Sequence, residues 1–257
     1  MQDISIEKNY NATTAGGGVI LRSGSSMTLT SGTISGNRGV GGSGIYVEKN
    51  AELTIDGGAI SGNRTVASAD GAANSGAIKA LGRVIMNGGE ITGNEISRHW
   101  QLPAVYLTGD GAYFALNKGT ISGNIRGYQT SRWYSYGPVG VVQGAQMVMN
   151  GGTIEACTST KGTSDAVTIT SNASLLANGG IVKGTVTFGS YSAINTTSTD
   201  SYTKFYNEVT NNGTISGGVY YGGISGSGTV SGTYHTVSFD TNGGSSVPTQ
   251  WFVNTDK

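Results

Sequence analysis

One short phrase returns through the chain with an apolar residue at its centre. It reads "GTISGNR" at 32–38, "GAISGNR" at 58–64, "GEITGN" at 89–94 and "GTISGN" at 119–124. Aligned on that residue, the copies fall at Ile34, Ile60, Ile91, Ile121, Ile154, Val182 and Ile215. The spacings are 26, 31, 30, 33, 28 and 33 residues. Repeats of about 20–50 residues mark architectures in which each unit buries its apolar face only against its neighbours.

The segments between copies are strands rather than helices. "MTLT", "ELTI", "RVIM", "FALN" and "MVMN" alternate with the period of two that belongs to a strand with one buried face. The inward set is Met27 and Leu29, Leu53 and Ile55, Val84 and Met86, Phe114 and Leu116, Met147 and Met149. Each of these strands runs into a corner residue (Thr30, Asp56, Asn87, Asn117, Asn150, Asn178, Asn211), and then into a Gly-containing pair. Asn, Asp and Gly tolerate positive φ, so one tight corner recurs per unit. A further strand precedes the first six units: "GVILRS", "GIYVEK", "SGAIKAL", "AVYLTG", "VGVVQG" and "AVTITS". The pattern predicts an all-β chain, a parallel solenoid of about seven coils of three short strands, stacked ~4.8 Å apart.

In such a coil the Ile of "TISGN" points inward and the Gly-Asn pair turns the chain. Asn37, Asn63, Asn94 and Asn124 then stand in one row, and their amides can bond along the axis. Cys157 stands where the next Asn is expected and reads as a small, weakly polar substitute. Stacking holds strand lengths constant, so insertions leave through corners, and the spacing is uneven for that reason.

Composition excludes several classes. The 257 residues include 44 Gly, carry zero formal net charge, and are 12% charged and 36% hydrophobic, enough apolar content for a core. Balanced charge gives no reason to expect nucleic acid or an anionic membrane as partner. No run approaches the ~20 apolar residues of a membrane span. A single cysteine rules out an internal disulfide. The opening "MQDISIEKNYNATT" lacks the regions of a signal peptide and reads as a piece that begins beyond any leader. Two His and no paired Cys argue against zinc, and no Walker sequence occurs. Gly-x-Ser-x-Gly appears only in broken form at 223–227. No cofactor and no metal are expected.

Units such as "ELTIDGGAISGN" and "RVIMNGGEITGN" resemble the Gly-rich repeats of large bacterial surface proteins with a right-handed parallel β-helix fold. "DGGAISGN" is also similar to the "GGAI" repeats of chlamydial polymorphic outer-membrane proteins, without their companion Phe-x-x-Asn element. The resemblance covers about residues 15–230 and implies an extracellular, adhesin-like protein of the cell wall or cell surface. "HTVSFDTNGGSSVPTQWF", residues 235–252, resembles the opening of the Listeria-Bacteroides repeat of bacterial cell-surface proteins. The same "TNGG" also reads as a hairpin turn in a solenoid cap. The expected organisation is an N-terminal strand or cap (1–14), a parallel β-helix (15–233) and a tail (234–257). Residues 190–203 are expected to be an exposed Ser/Thr-rich loop.

Two places could carry chemistry. Polysaccharide lyases and hydrolases of β-helix type need clustered acids, and Glu90 and Glu155 are the pair to test. They sit two units apart on opposite sides of inward Ile residues, too wide for the ~6.5–9.5 Å of an inverting glycosidase. The corner after "SGN" lengthens along the chain to "EISRHWQLP" and "IRGYQTSRWYSYGP". It gathers Arg98, Trp100, Tyr128, Arg132, Trp133, Tyr134 and Tyr136. Aromatic rings beside Arg suit sugar rings or a protein hot spot. The same residues can equally pack down on the flank as a satellite core. The leading reading is a noncatalytic extracellular module, an adhesin-like stalk or binding surface with a glycan or host surface protein as partner. A polysaccharide lyase or glycoside hydrolase comes second, and a purely structural spacer third.

Overall fold

Alternation in sequence becomes alternation in space. The computed structural model describes residues 3–66, 75–96, 103–126, 137–159, 165–189, 192–195, 203–232, 234–239 and 245–253. Among these there is no helix. From Ile4 the chain enters sheet A (Ile4–Glu7), sheet B (Tyr10–Ala15), sheet C (Val19–Leu21) and sheet D (Ser26–Leu29). It then returns to sheet A at Gly32–Ser35 and repeats the cycle. Sheets A, B, C and D hold 11, 6, 9 and 9 strands. All pairings are parallel except those made by the last strand, Gln250–Val253.

Sheets A, C and D turn one face to a single core. The expected inward pairs from Met27 to Met149 form two columns of sheet D, in register. All are at most 7% exposed. The repeated apolar residue forms the inner column of sheet A: Ile34, Ile60, Ile91, Ile121, Ile154, Val182, Phe205 and Tyr220. Phe205 and Tyr220 stack with centroids 4.9 Å apart. Burial drives the Tyr220 hydroxyl far above the usual phenol range, so it stays neutral and donates to the Gly217 carbonyl.

The Gly-Asn corner carries an unbroken interior ladder. The Asn63 Oδ1 accepts from the backbone N–H and the Nδ2 of Asn37, both at 3.0 Å. The Asn63 Nδ2 donates to Asn94 Oδ1 and to the Ile34 carbonyl, both at 2.9 Å. That satisfies all four positions of a carboxamide. Asn94 repeats the pattern onto Asn124. The four are fully buried. The ladder begins one unit earlier than the repeat suggests, at Asn9, which donates twice to Asn37 Oδ1. The residue before each Asn is left-handed: φ is 62°, 61°, 63° and 60° at Gly36, Gly62, Gly93 and Gly123. Lys8 holds the same conformation at 56°, which hides the first unit from a Gly-based pattern. The second expected row is also present, on the outer side. Asn178 donates to Asn150, Asn150 to Asn117, Asn117 to Asn87 and Asn87 to Asp56.

Four expectations are corrected. First, the early repeats have four strands, not three. The additional strands of sheet B follow the ladder: Arg38–Val40, Arg64–Thr65, Glu95–Ile96, Ile125–Arg126 and Thr158–Ser159. At two or three residues they are too short to alternate visibly. Sheet B stops at Thr158–Ser159, just past Cys157, and in the next repeat Gly184 alone joins sheet A (Ile181–Lys183) to sheet C (Thr185–Phe188). The last repeats therefore do have three strands. Second, Ile215 belongs to sheet D, paired with Ile194 and Val230, and not to the column of Ile34. The sheet A place falls to Phe205, because the late repeats shorten. Third, Asn211 ends a sheet C strand, Val209–Asn211, and donates to the Thr229 carbonyl instead of joining the outer row. Fourth, residues 190–203 are not simply a loop: Ala193–Asn195 is a sheet D strand, and Ser192 and Thr203 are buried.

At the end of the chain, Gln250–Val253 pairs antiparallel with both Gly218–Tyr220 and Tyr234–Val237, extending sheet A. Residues 240–244, which hold "TNGG", lie outside the described residues.

The two rows should respond differently to truncation. Asn63→Ala leaves buried donors unpaired and is expected to destabilise by about 3–5 kcal/mol, whereas Asn150→Ala on the wet row should cost less than about 1 kcal/mol. Chemical denaturation of both variants checks this. Equal losses would contradict the structure.

Candidate functional site

Every residue of the expected aromatic platform lies outside the described residues: Arg98 and Trp100 in 97–102, and Tyr128, Arg132, Trp133, Tyr134 and Tyr136 in 127–136. Their anchors are described. Both segments leave from adjacent sheet B strands, with Glu95 paired to Ile125 and Ile96 to Arg126. The chain resumes in sheet C at Val105–Thr108 and Val139–Val142, which also pair. The two segments thus start and finish on neighbouring strands.

The acids of the described surface are mostly engaged along the stacking direction. Glu52 pairs with Arg83 at 3.2 Å, Glu95 with Arg64 at 3.2 Å and Glu155 with Lys183 at 2.9 Å. Asp165 accepts from the Thr185 and Thr168 hydroxyls. Glu48 accepts from the Ser23 N–H and from Arg22, and these two bonds hold its carboxyl below the usual range. Glu7 is likewise held low by the hydroxyls of Ser5, Ser35 and Thr33. The candidate acid–base pair does not come together. Glu90 lies beside Ala59 and Thr120, while Glu155 is two strands further on and one column across, about 12 Å away by strand geometry. Among the described residues no three His, Cys, Asp or Glu side chains converge as a metal site.

On sheet C, the outward column Tyr46, Lys79, Tyr106 is largely shielded. The Lys79 ammonium lies 5.8 Å from the Tyr46 ring centre, and burial lowers its pKa. Cys157 is buried at the end of the ladder, where the Thr158 N–H still bonds the Asn124 carbonyl as in each earlier repeat.

One concave feature stands on the corner between sheets C and D. In five repeats, five residues separate the last inward residue of C from the first of D: Leu21 to Met27, Val47 to Leu53, Val141 to Met147, Ile169 to Leu175 and Phe188 to Ile194. The Ala80-to-Val84 corner has three, and the next, Leu107 to Phe114, has six. The long corner, a turn through Gly109, Asp110 and Gly111, adjoins a short one. Beside it opens a cleft of about 410 Å³, lined by Arg83, Asp110, Tyr113, Gly144 and Gln146. Arg83, Tyr113 and Gln146 are consecutive members of one outward column of sheet D. The Arg83 guanidinium stacks 4.5 Å from the Tyr113 ring centre. Asp110, exposed on the turn, accepts no hydrogen bond and makes no ion pair among the described residues. The sequence signal for this cleft is the abrupt change in corner length, visible once inward residues are numbered. Comparison with protein-family models, curated proteins and solved structures returned no match.

The carboxylates give a pH signature. A folded pKa below the unfolded value stabilises above the unfolded value, near 4.5 for Glu, and that stability is lost as pH falls through the folded value. Thermal melts from neutral pH downward should be flat until about pH 5 and then decline. Glu48→Gln, which lacks that contribution at every pH, should lower the neutral plateau and make the decline shallower. A decline beginning near neutrality would contradict this electrostatic picture.

Proposed function

We propose that the chain is a noncatalytic module of a bacterial cell surface, extracellular and wall-associated. In this reading it is an adhesin-like stalk or binding surface, and its sheets are walls of a right-handed parallel β-helix of about seven coils. Several features support the architecture. From Ile4 to Val230 the chain visits the sheets in one cyclic order without reversal and advances one strand per circuit. Parallel strands joined by a crossover are right-handed in about 98% of cases. The resemblance of "ELTIDGGAISGN" and of the "FDTNGG" tail supports the location.

The observation that carries the noncatalytic reading is the direction of the polar contacts. Outward side chains pair with the residue one strand along: Ser5 with Thr33, Asp56 with Asn87, Glu52 with Arg83, Glu155 with Lys183. An active site requires the opposite, groups from separate strands converging on one point. A surface whose charges are paired and spread suits a scaffold that displays a site repeatedly in a larger protein, where weak contacts gain by multivalency. The partner is a glycan or a host surface protein, met through the corners that interrupt the repeat, including the segments with Trp100 and Trp133.

Two assays test the proposal together. Incubation with pectins, alginates and glycosaminoglycans, with and without calcium, should release no unsaturated or reducing ends. Product that disappears in Glu90→Gln or Glu155→Gln would establish the lyase or hydrolase reading instead. The same protein on glycan and host-protein arrays should bind a subset, and Trp100→Ala or Trp133→Ala should weaken that binding at least tenfold. A protein that binds nothing on either array would be a spacer.

A further inference from the structure

The dipeptide Asn-Gly occurs five times, at 87–88, 150–151, 178–179, 212–213 and 242–243, and the last lies outside the described residues. Asn followed by Gly is chemically labile, because with no Cβ in the way the Gly nitrogen can swing onto the Asn carboxamide. The reaction is spontaneous. The Gly nitrogen gives up its proton and attacks Cγ, the Cγ–Nδ2 bond breaks, and Nδ2 departs as ammonia with a proton from water. The succinimide ring so formed takes up water and opens at either carbonyl, to Asp or to isoaspartate. One water is consumed and one ammonia released, and nothing is oxidised or reduced.

The four described sites fall into two settings. In the outer row the reaction is opposed at both atoms. Asn87 Nδ2 donates to Asp56 at 2.8 Å, Asn150 Nδ2 to Asn117 at 2.7 Å and Asn178 Nδ2 to Asn150 at 2.9 Å. The N–H groups of Gly88, Gly151 and Gly179 donate to the carbonyls of Ile55, Leu116 and Met149 on the preceding strand. Leaving group and nucleophile are therefore both engaged one rung away. Asn212 differs. It is exposed, one residue past the sheet C strand Val209–Asn211, and its Nδ2 donates to nothing among the described residues. Its Oδ1 accepts the Ser227 N–H at 3.4 Å, on the atom where negative charge develops during attack. The Gly213 N–H donates to the Asn211 side-chain Oδ1 at 3.0 Å rather than to a strand carbonyl. Gly213 is also imposed by packing, since an added Cβ would lie 2.0 Å from the Ser192 carbonyl oxygen. This corner thus requires the labile dipeptide and lacks the row that ties it down elsewhere.

We propose that Asn212 is a site of spontaneous deamidation, and that the outer carboxamide row shields Asn87, Asn150 and Asn178 from the same reaction. The isoaspartyl product carries an added carbon into the main chain. That carbon falls between two anchors, the residue 212 N–H on the Phe188 carbonyl and the Thr214 N–H on the Ser192 carbonyl. The sheet D strands Thr214–Ile215 and Thr229–Val230 follow this corner, so the modification loosens the C-terminal end of the stack and leaves the earlier repeats intact. The inference is independent of the binding-surface reading above.

The test is ageing of the full chain in mildly alkaline water enriched in heavy oxygen, then digestion and mass spectrometry, with each new carboxylate marked by the heavy atom. In the folded chain Asn212 should convert about tenfold or more faster than Asn87, Asn150 or Asn178, and in urea the four should react at similar rates. Asn117→Ala removes the acceptor of the Asn150 amide from an exposed position. It should speed conversion of Asn150 about fivefold or more and leave Asn212 unchanged. The isolated isoaspartyl form should lose exchange protection at the Thr214 and Thr229 amides while Ile60 and Ile91 keep theirs. Row residues that convert as fast as Asn212 in the folded chain would overturn the proposal, as would an Asn212 no faster than Asn117, which Lys118 follows. An Asn150 rate unmoved by Asn117→Ala, or a difference between sites that persists in urea, would overturn the shielding by the row.

Discussion

The buried asparagine ladder is the interaction on which the layout of the chain depends. An amide taken out of water costs several kcal/mol if unpaired and contributes if every donor and acceptor finds a partner. Asn37, Asn63 and Asn94 achieve the second outcome because each faces an identical residue one strand away. The side chain also takes over a backbone task. Its Oδ1 accepts the main-chain N–H of the Asn one repeat earlier, and its Nδ2 reaches the carbonyl of the inward Ile of that earlier repeat. Those are groups that a turn would otherwise leave unpaired inside the protein. The left-handed Gly before each Asn sets the angle at which this works.

The rest of the cross-section follows from that corner. Where the Asn is present, the chain goes on into a short strand of sheet B before reaching sheet C. At Cys157 the amide is gone, and the residue before it, Ala156, is no longer left-handed. One further strand, Thr158–Ser159, is held by the backbone, and then the corner disappears. Sheet B therefore records the extent of the ladder, while the apolar columns of A, C and D run on without it. Loss of the polar corner narrows the repeat, and the late repeats fall to 15 residues between Thr214 and Thr229.

Features that repeat were readable from the residues, and features that interrupt the repeat were not. Alternation located the sheet D strands and their five inward pairs from Met27 to Met149, because burial of one face is a local, period-two property. Both Asn rows followed from alignment. Sheet B escaped because strands as short as Arg64–Thr65 cannot alternate. Asn9 escaped because Lys8 occupies a position where Gly is the rule. "GTISGG" at 213–218 misled because the same five residues, GTISG, serve in sheet D as in sheet A. What distinguishes the sheets is the corner, and this copy ends in Gly where the ladder copies end in Asn. The cleft near Tyr113 depends on two neighbouring corners differing in length, a relation between distant residues that no single window displays.

The central claim is that the Asn carboxamides are interior structural members. It is tested most directly by hydrogen exchange of the side-chain NH₂ protons, followed by NMR on assigned resonances. The account predicts that the Nδ2 protons of Asn37, Asn63 and Asn94 exchange only with global opening, at rates matching the most protected backbone amides of Ile60 and Ile91, while those of Asn87 exchange orders of magnitude faster. Rapid exchange at Asn63 and Asn94, on the scale of a solvated carboxamide, would contradict it.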